Sequence, residues 1–165
     1  MDARSEAALA TVNPAFADLV RAAAATLEAQ GTYLLVVSGL RTAAQQDALY
    51  AQGRTTPGHI VTNAKAGQSM HNYGLAADIV PYLSGPTGAL NWTPSTPQYQ
   101  AMVDALKAQG LAWGGDWIHF KDEDHFQMGG LPANPTAAME ADYGAGDDAA
   151  LQAIWTNAGD GKYAA

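Results

Sequence analysis

Apolar positions along this chain switch between two periods, and the switches mark its elements. Phe16, Leu19, Val20, Ala23 and Leu27 recur at helical spacing. That run starts from an Asn13-Pro14 pair suited to an N-cap and a first helical position, and Gly31 ends it. The stretch YLLVVSG (33–39) is continuous, apolar and β-branched, which predicts a central strand. Thr42 and Gln45 form a capping box for a helix through Gln52, stopped by Gly53. A second strand is predicted at LAADIV (75–80). Tyr99, Met102, Val103 and Leu106 give one apolar face to a helix with Pro97 near its start and Gly110 past its end. LAWGGDW (111–117) and HFQM (125–128) read as short strands joined by a charged loop. Leu151, Ile154 and Trp155 predict one closing helix.

Residues 54–70, RTTPGHIVTNAKAGQSM, break this regularity. A polar connection of that length usually has a function of its own. Helices and short strands mix without βαβ alternation, so the expected fold class is α+β: one domain, residues 1–165, with a small, mainly antiparallel sheet flanked by helices. No repeat or second domain is visible. The C-terminal part, from about residue 135, reads as a helical extension.

Composition narrows the partners. The 165 residues are 48% hydrophobic, ordinary for a folded protein, and carry 16 acidic against 8 basic side chains, a formal charge of −8. No basic stripe offsets that charge, so nucleic acid and anionic membranes are excluded as expected partners. A negatively charged wall polymer would have to be gripped locally. No apolar run approaches the ~20 residues of a membrane helix. The N-terminus has no basic segment followed by an apolar one. The expectation is a soluble monomer made in the cytoplasm.

Cysteine is absent, which removes disulfides, thiolate metal sites and cysteine nucleophiles together. Any metal must be held by histidine and carboxylate. A catalytic zinc needs three such ligands and a position left open for water, with a carboxylate nearby to take a proton. The chain has four histidines, His59, His71, His119 and His125. Strand alternation sets Asp78 apart from Ala77 and Ile79, and puts His125 and Gln127 on one face. If the two strands pair and the preceding loop folds back, His71, Asp78 and His125 converge. On spacing alone, however, the His71–Asp78 pair also suits an ordinary loop and strand, and the Asp-Glu-Asp-His run suits a solvated turn.

Longer motifs carry more information. SMHNYGLAADI (69–79) resembles the Ser-x-His-x-x-Gly-x-Ala-x-Asp motif of the zinc D-Ala-D-Ala carboxypeptidase and L-alanyl-D-glutamate peptidase family. WGGDWIHFKDEDHFQ (113–127) resembles that family's second motif. Together with SGLRT (38–42) and ALYAQGRTTPGHIVTNAKAGQS (48–69), the resemblance spans about 34 to 128. It is nearest to the branch of phage endolysins and bacterial wall endopeptidases.

The resemblance implies one zinc per chain, held by His71, Asp78 and His125. It implies Asp122 as the general base that activates the water and then protonates the leaving amine, and Arg41 as a donor to a substrate carbonyl or carboxylate. Ser69 and His119 are candidate substrate contacts, each with a plainer reading as a loop hydrogen bond or a solvated side chain. Where the family often has proline before the second histidine, Glu123 and Asp124 stand here. They are rival carboxylates to Asp122 and would raise its pKa. His59 is expected to be exposed, and Trp113 and Trp117 to form core or cleft wall. Gly114 and Gly115 read as backbone necessities, either a close approach or a positive φ.

The implied substrate is the peptidoglycan stem peptide, cut between L-Ala and D-Glu by an endolysin released to the wall through a holin. The alternatives are trimming of a terminal D-Ala, with Arg54 or Lys65 to seize the carboxylate, and a metal-holding wall-peptide binder that hydrolyses nothing.

Overall fold

The computed structural model describes residues 1–144 and 148–165. Four strands form one antiparallel sheet in the order β1 (Leu34–Ser38), β2 (Ala76–Pro81), β4 (His125–Gln127), β3 (Ala112–Trp113). The α+β class and the antiparallel sheet are as the pattern predicts. Around the sheet lie α1 (Ala3–Leu9), α2 (Pro14–Glu28), α3 (Ala43–Ala51), α4 (Pro97–Ala108), α5 (Ala137–Tyr143) and α6 (Asp148–Gly159). The sequence pattern marks four of these six.

The predicted stops and starts operate as written. The Asn13 side chain accepts from the Phe16 amide at 3.0 Å, and the Thr42–Gln45 capping box is closed in both directions. Phe16, Val20, Leu27, Leu34, Ile79, Met102, Leu106 and Phe126 are buried in one cluster between α2, α4 and the sheet. Each such side chain contributes roughly 1.5–3 kcal/mol of apolar burial.

One expectation is corrected: β1 is an edge strand, not a central one. Its apolar composition has another cause. Helix α1 lies against the outer edge, where the buried hydroxyl of Ser5 accepts from the amide of Val36 at 3.0 Å. An edge covered by a helix no longer needs polar residues to keep other chains off.

Strand register lines up the polar side chains of the sheet. Leu34, Leu35 and Val36 pair with Pro81, Val80 and Ile79; then the register shifts, and Ser38 pairs with Asp78. Val37 is the extra residue of a bulge. On the other side of β2, Asp78 pairs with His125. Ser38, Asp78 and His125 therefore form one row across three strands.

A second, smaller cluster joins Met70, Tyr73, Leu75 and Ala76 to Met139, Ile154 and Tyr163. It fastens the C-terminal helices to the segment that carries His71. The Trp155 indole donates to the Tyr73 carbonyl at 2.8 Å, so the closing helix is tied to that segment.

Candidate metal centre and its cleft

His71 belongs to a one-turn 3₁₀ helix, Met70–Tyr73, between the long loop and β2. Ser69 caps it by accepting from the His71 amide, and Gly74 ends it at φ +61°. That left-handed turn is natural only to glycine, and it reverses the chain into β2 so that His71 comes back beside Asp78. Two ties fix the segment against residues 39–41. The Arg41 amide donates to the His71 carbonyl at 3.0 Å, and the Asn72 side chain donates to the Arg41 carbonyl at 2.8 Å.

The Asp78 carboxylate divides its two oxygens. Oδ2 accepts from the Ser38 hydroxyl at 2.7 Å and from the Arg41 guanidinium at 2.9 Å. Oδ1 faces His71 Nε2 at 3.0 Å and His125 Nδ1 at 3.9 Å. The donor atoms of His71, Asp78 and His125 all lie within 4.8 Å of one another, so the three sequence-predicted ligands do meet. Both histidines are buried, their rings edge-to-face at 5.1 Å.

The donor set fits a cation. His71 Nδ1 lies 2.8 Å from the Gly39 carbonyl, an acceptor, so Nδ1 carries the proton. The Nε2 lone pair of a neutral His71 then points at a carboxylate oxygen with no hydrogen between them. A positive ion is what such a pair of lone pairs lacks, and nitrogen with carboxylate oxygen is a donor set zinc accepts.

Electrostatics separates the carboxyl groups sharply. Burial alone would raise Asp78, but its imidazole neighbours in their protonated forms and the Ser38 hydrogen bond outweigh it and hold its carboxyl well below the usual range. His125 is lowered to about 4, by burial first and then by its histidine neighbour, which keeps it neutral and able to ligate. Asp122 moves the other way, to about 8, through burial, hydrogen bonding with Asp124 and the charge of Asp78. Asp124 is also raised, by burial and then by Asp78.

Asp122 lies in the loop between β3 and β4, whose shape depends on two glycines. A Cβ at Gly114 would stand 2.3 Å from the Asp122 carbonyl, and one at Gly115 would stand 2.2 Å from the Trp113 ring. Close approach is the reason for both, since neither has a positive φ. The Glu123 carbonyl accepts from the Trp113 indole and the Tyr99 hydroxyl, while the Glu123 side chain is exposed and outside the cleft. Of the two rivals to Asp122, only Asp124 shares the cleft.

The cleft over these residues has a volume of about 990 Å³. Ser69 and His119 line it, as do Arg41, Trp117 and Asp122; His59 is exposed elsewhere. Ile118 and Phe120 stand at the rim, 90% and 46% exposed. Arg41 is already engaged: besides Asp78 it donates to Gln46 Oε1 at 2.9 Å. Gln46, fully buried, in turn donates to the Ala64 carbonyl of the long loop at 2.8 Å. Spacing gives no sign of that role.

The chain is similar to several known peptidases. The sequence profile of a family described as D-alanyl-D-alanine carboxypeptidase matches residues 62–128. Over 119 residues the chain is 40% identical to the peptidoglycan L-alanyl-D-glutamate endopeptidase CwlK of Bacillus subtilis (strain 168), covering 68% of each protein. The chain belongs to the M15 peptidase family. Another relative, the L-alanyl-D-glutamate peptidase of Listeria phage A118, is 30% identical over 125 residues, 73% of this chain and 40% of the phage protein. The crystal structure of the Serratia marcescens L-Ala D-Glu endopeptidase ChiX has a similar fold. It matches with a TM-score of 0.53 at 26% identity, over 78% of this chain and 88% of that one.

Proposed function

We propose that this M15 peptidase is a zinc enzyme that hydrolyses the L-Ala–D-Glu bond of the peptidoglycan stem peptide. The observation that carries the proposal is the meeting of His71, Asp78 and His125 at the floor of a large cleft, with lone pairs facing one another. Those three residues would hold the zinc, which when bound supplies a Lewis acid for the scissile carbonyl and an acidified water.

The protein's own groups have separable tasks. Asp122, half-buried and raised, takes a proton from the attacking water and returns it to the departing amine. Arg41 keeps Asp78 anionic and oriented, and its remaining N–H groups are placed to donate to a substrate oxygen. Ser69 positions His71 through its backbone, and His119 with Trp117 forms a wall that a peptide would touch.

Cutting inside the stem peptide is favoured over trimming its end by the cations. Removing a terminal D-Ala requires a free positive group to hold the terminal carboxylate. Among the described residues lining the cleft the sole lysine or arginine is Arg41, engaged by Asp78 and Gln46. Arg54 is spent on the Tyr50 and Thr62 carbonyls and on Asn63, outside the cleft, and Lys65 lies beyond its lining too. The relatives named above act on the L-Ala–D-Glu bond, and the phage protein among them makes an endolysin role the natural one to test.

The experiment is direct. Protein purified without chelator should contain close to one zinc per chain. Incubated with intact sacculi and with a free stem pentapeptide, it should produce fragments cut after L-Ala by mass spectrometry. Release of free D-Ala alone would replace this assignment with a carboxypeptidase, and no hydrolysis at all would leave a wall-binding module.

A further inference from the structure

The side chain of Gln127 is buried to 1% exposure and bridges the metal centre to a segment beyond it. Its Nε2 donates to the Pro132 carbonyl at 2.8 Å, and its Oε1 lies 3.1 Å from His125 Nε2. A carbonyl can only accept, so the amide must turn its NH₂ towards Pro132 and its oxygen towards the imidazole. An oxygen facing a ring nitrogen at that distance calls for an N–H there.

We infer that Gln127 is a positioning residue that holds His125 as the Nε2–H tautomer, on an instruction that originates at the Pro132 carbonyl. The inference rests on the assignment of His71, Asp78 and His125 as the cation-holding set. The remaining lone pair of His125 is then on Nδ1, the nitrogen 3.9 Å from Asp78 Oδ1. His71 is the mirror case. Its Nδ1–H is fixed by the Gly39 carbonyl, and Nε2 is left to face the same oxygen. The two imidazoles thus present opposite nitrogens, one set directly by a carbonyl and the other through an amide relay.

The relay has a structural reach of its own. Pro132 follows β4 and lies outside the family match at 62–128. Its neighbours Ala133, Asn134 and Pro135 line the cleft, and the following α5 is anchored by buried Met139. The segment after β4 therefore bears on the state of His125 through Gln127.

Ring-nitrogen NMR of the metal-free protein at pH 7 reads the tautomer without any variant. His125 should carry its proton on Nε2; a proton on Nδ1 overturns the inference. Gln127→Met, similar in volume but unable to accept from the ring, should give a tautomer mixture and weaken zinc binding about 10–100-fold in competition with a chelator. Gln127→Glu keeps an acceptor towards the ring and should restore the Nε2–H form. An unchanged tautomer in Gln127→Met, with zinc affinity within twofold of the parent, also overturns it. Should Gln127→Met fail to fold, the parent spectrum and Gln127→Glu still decide. Failure of the parent to bind zinc would instead sink the ligand assignment, whatever the tautomer.

Discussion

Asp78 and Asp122 are the same side chain lining one cleft, yet their surroundings drive them in opposite directions. Asp78 sits in the sheet with Ser38, Arg41 and two imidazoles around it, and its carboxyl is held ionised. Asp122 sits in a loop closed over two glycines, next to another carboxylate, and its proton is held on. A rigid element with fixed donors makes a permanent anion, suited to gripping a cation. A half-buried carboxyl on a loop, beside another carboxyl, makes a group that exchanges protons near neutrality, as a general base must.

The harshest test of that contrast is Asp78→Ala. It should abolish zinc binding and hydrolysis together. In metal-free protein it leaves the half-buried Arg41 guanidinium without its anion, which should cost about 1–3 kcal/mol in a denaturant titration. Near-parent zinc content in this variant would break the comparison. Asp122→Asn should lower kcat by about 10²–10⁴-fold while zinc stays near one per chain.

The same variant sharpens the contrast through pH. In the metal-free fold Asp122 binds its proton up to about 8, well above its unfolded value, so it lowers stability progressively as pH rises from about 4 towards 8. Asp78, lowered in the fold, contributes stability above its unfolded value that disappears as pH falls below it. The melting temperature of metal-free Asp122→Asn should therefore gain on the parent as pH climbs from 4 to 8. A constant offset would show that Asp122 is not proton-bound there.

Smaller effects probe the supports. Gly115→Ala drives a methyl group into the Trp113 ring and should destabilise by roughly 1–3 kcal/mol, with activity falling as the Asp122 loop shifts. Trp155→Phe, which drops the hydrogen bond to the Tyr73 carbonyl, should destabilise by about 1 kcal/mol in thermal melts and leave zinc content unchanged.

What can be read from the sequence tracks the range of the interactions. Caps, glycine stops and strand alternation are local, and they place α2, α3 and α4; the three proposed ligands are named by the longer motifs and come together in the fold. Helices α1 and α5 are seven residues each, too short to show a period among their many alanines. The edge position of β1 is hidden because its cover, Ser5 of α1, is 31 residues away. Gln46 shows its role only once the long loop has closed against α3. Gln127 is half legible: alternation puts it on the face of His125, but its other partner, the Pro132 carbonyl, depends on where the chain turns after β4.

The extra residue in β1 has a consequence for how this fold can vary. Val37 acts as a phase shifter: up to Val36 the strand meets β2 with apolar partners, and beyond it the hydroxyl of Ser38 meets Asp78. Regular pairing with Val37 kept would set Val37 opposite Asp78 and Ser38 opposite Ala77, turning the hydroxyl away from the carboxylate it holds. The bulge therefore decides which of two neighbouring side chains, an apolar one or a hydroxyl, meets the anion.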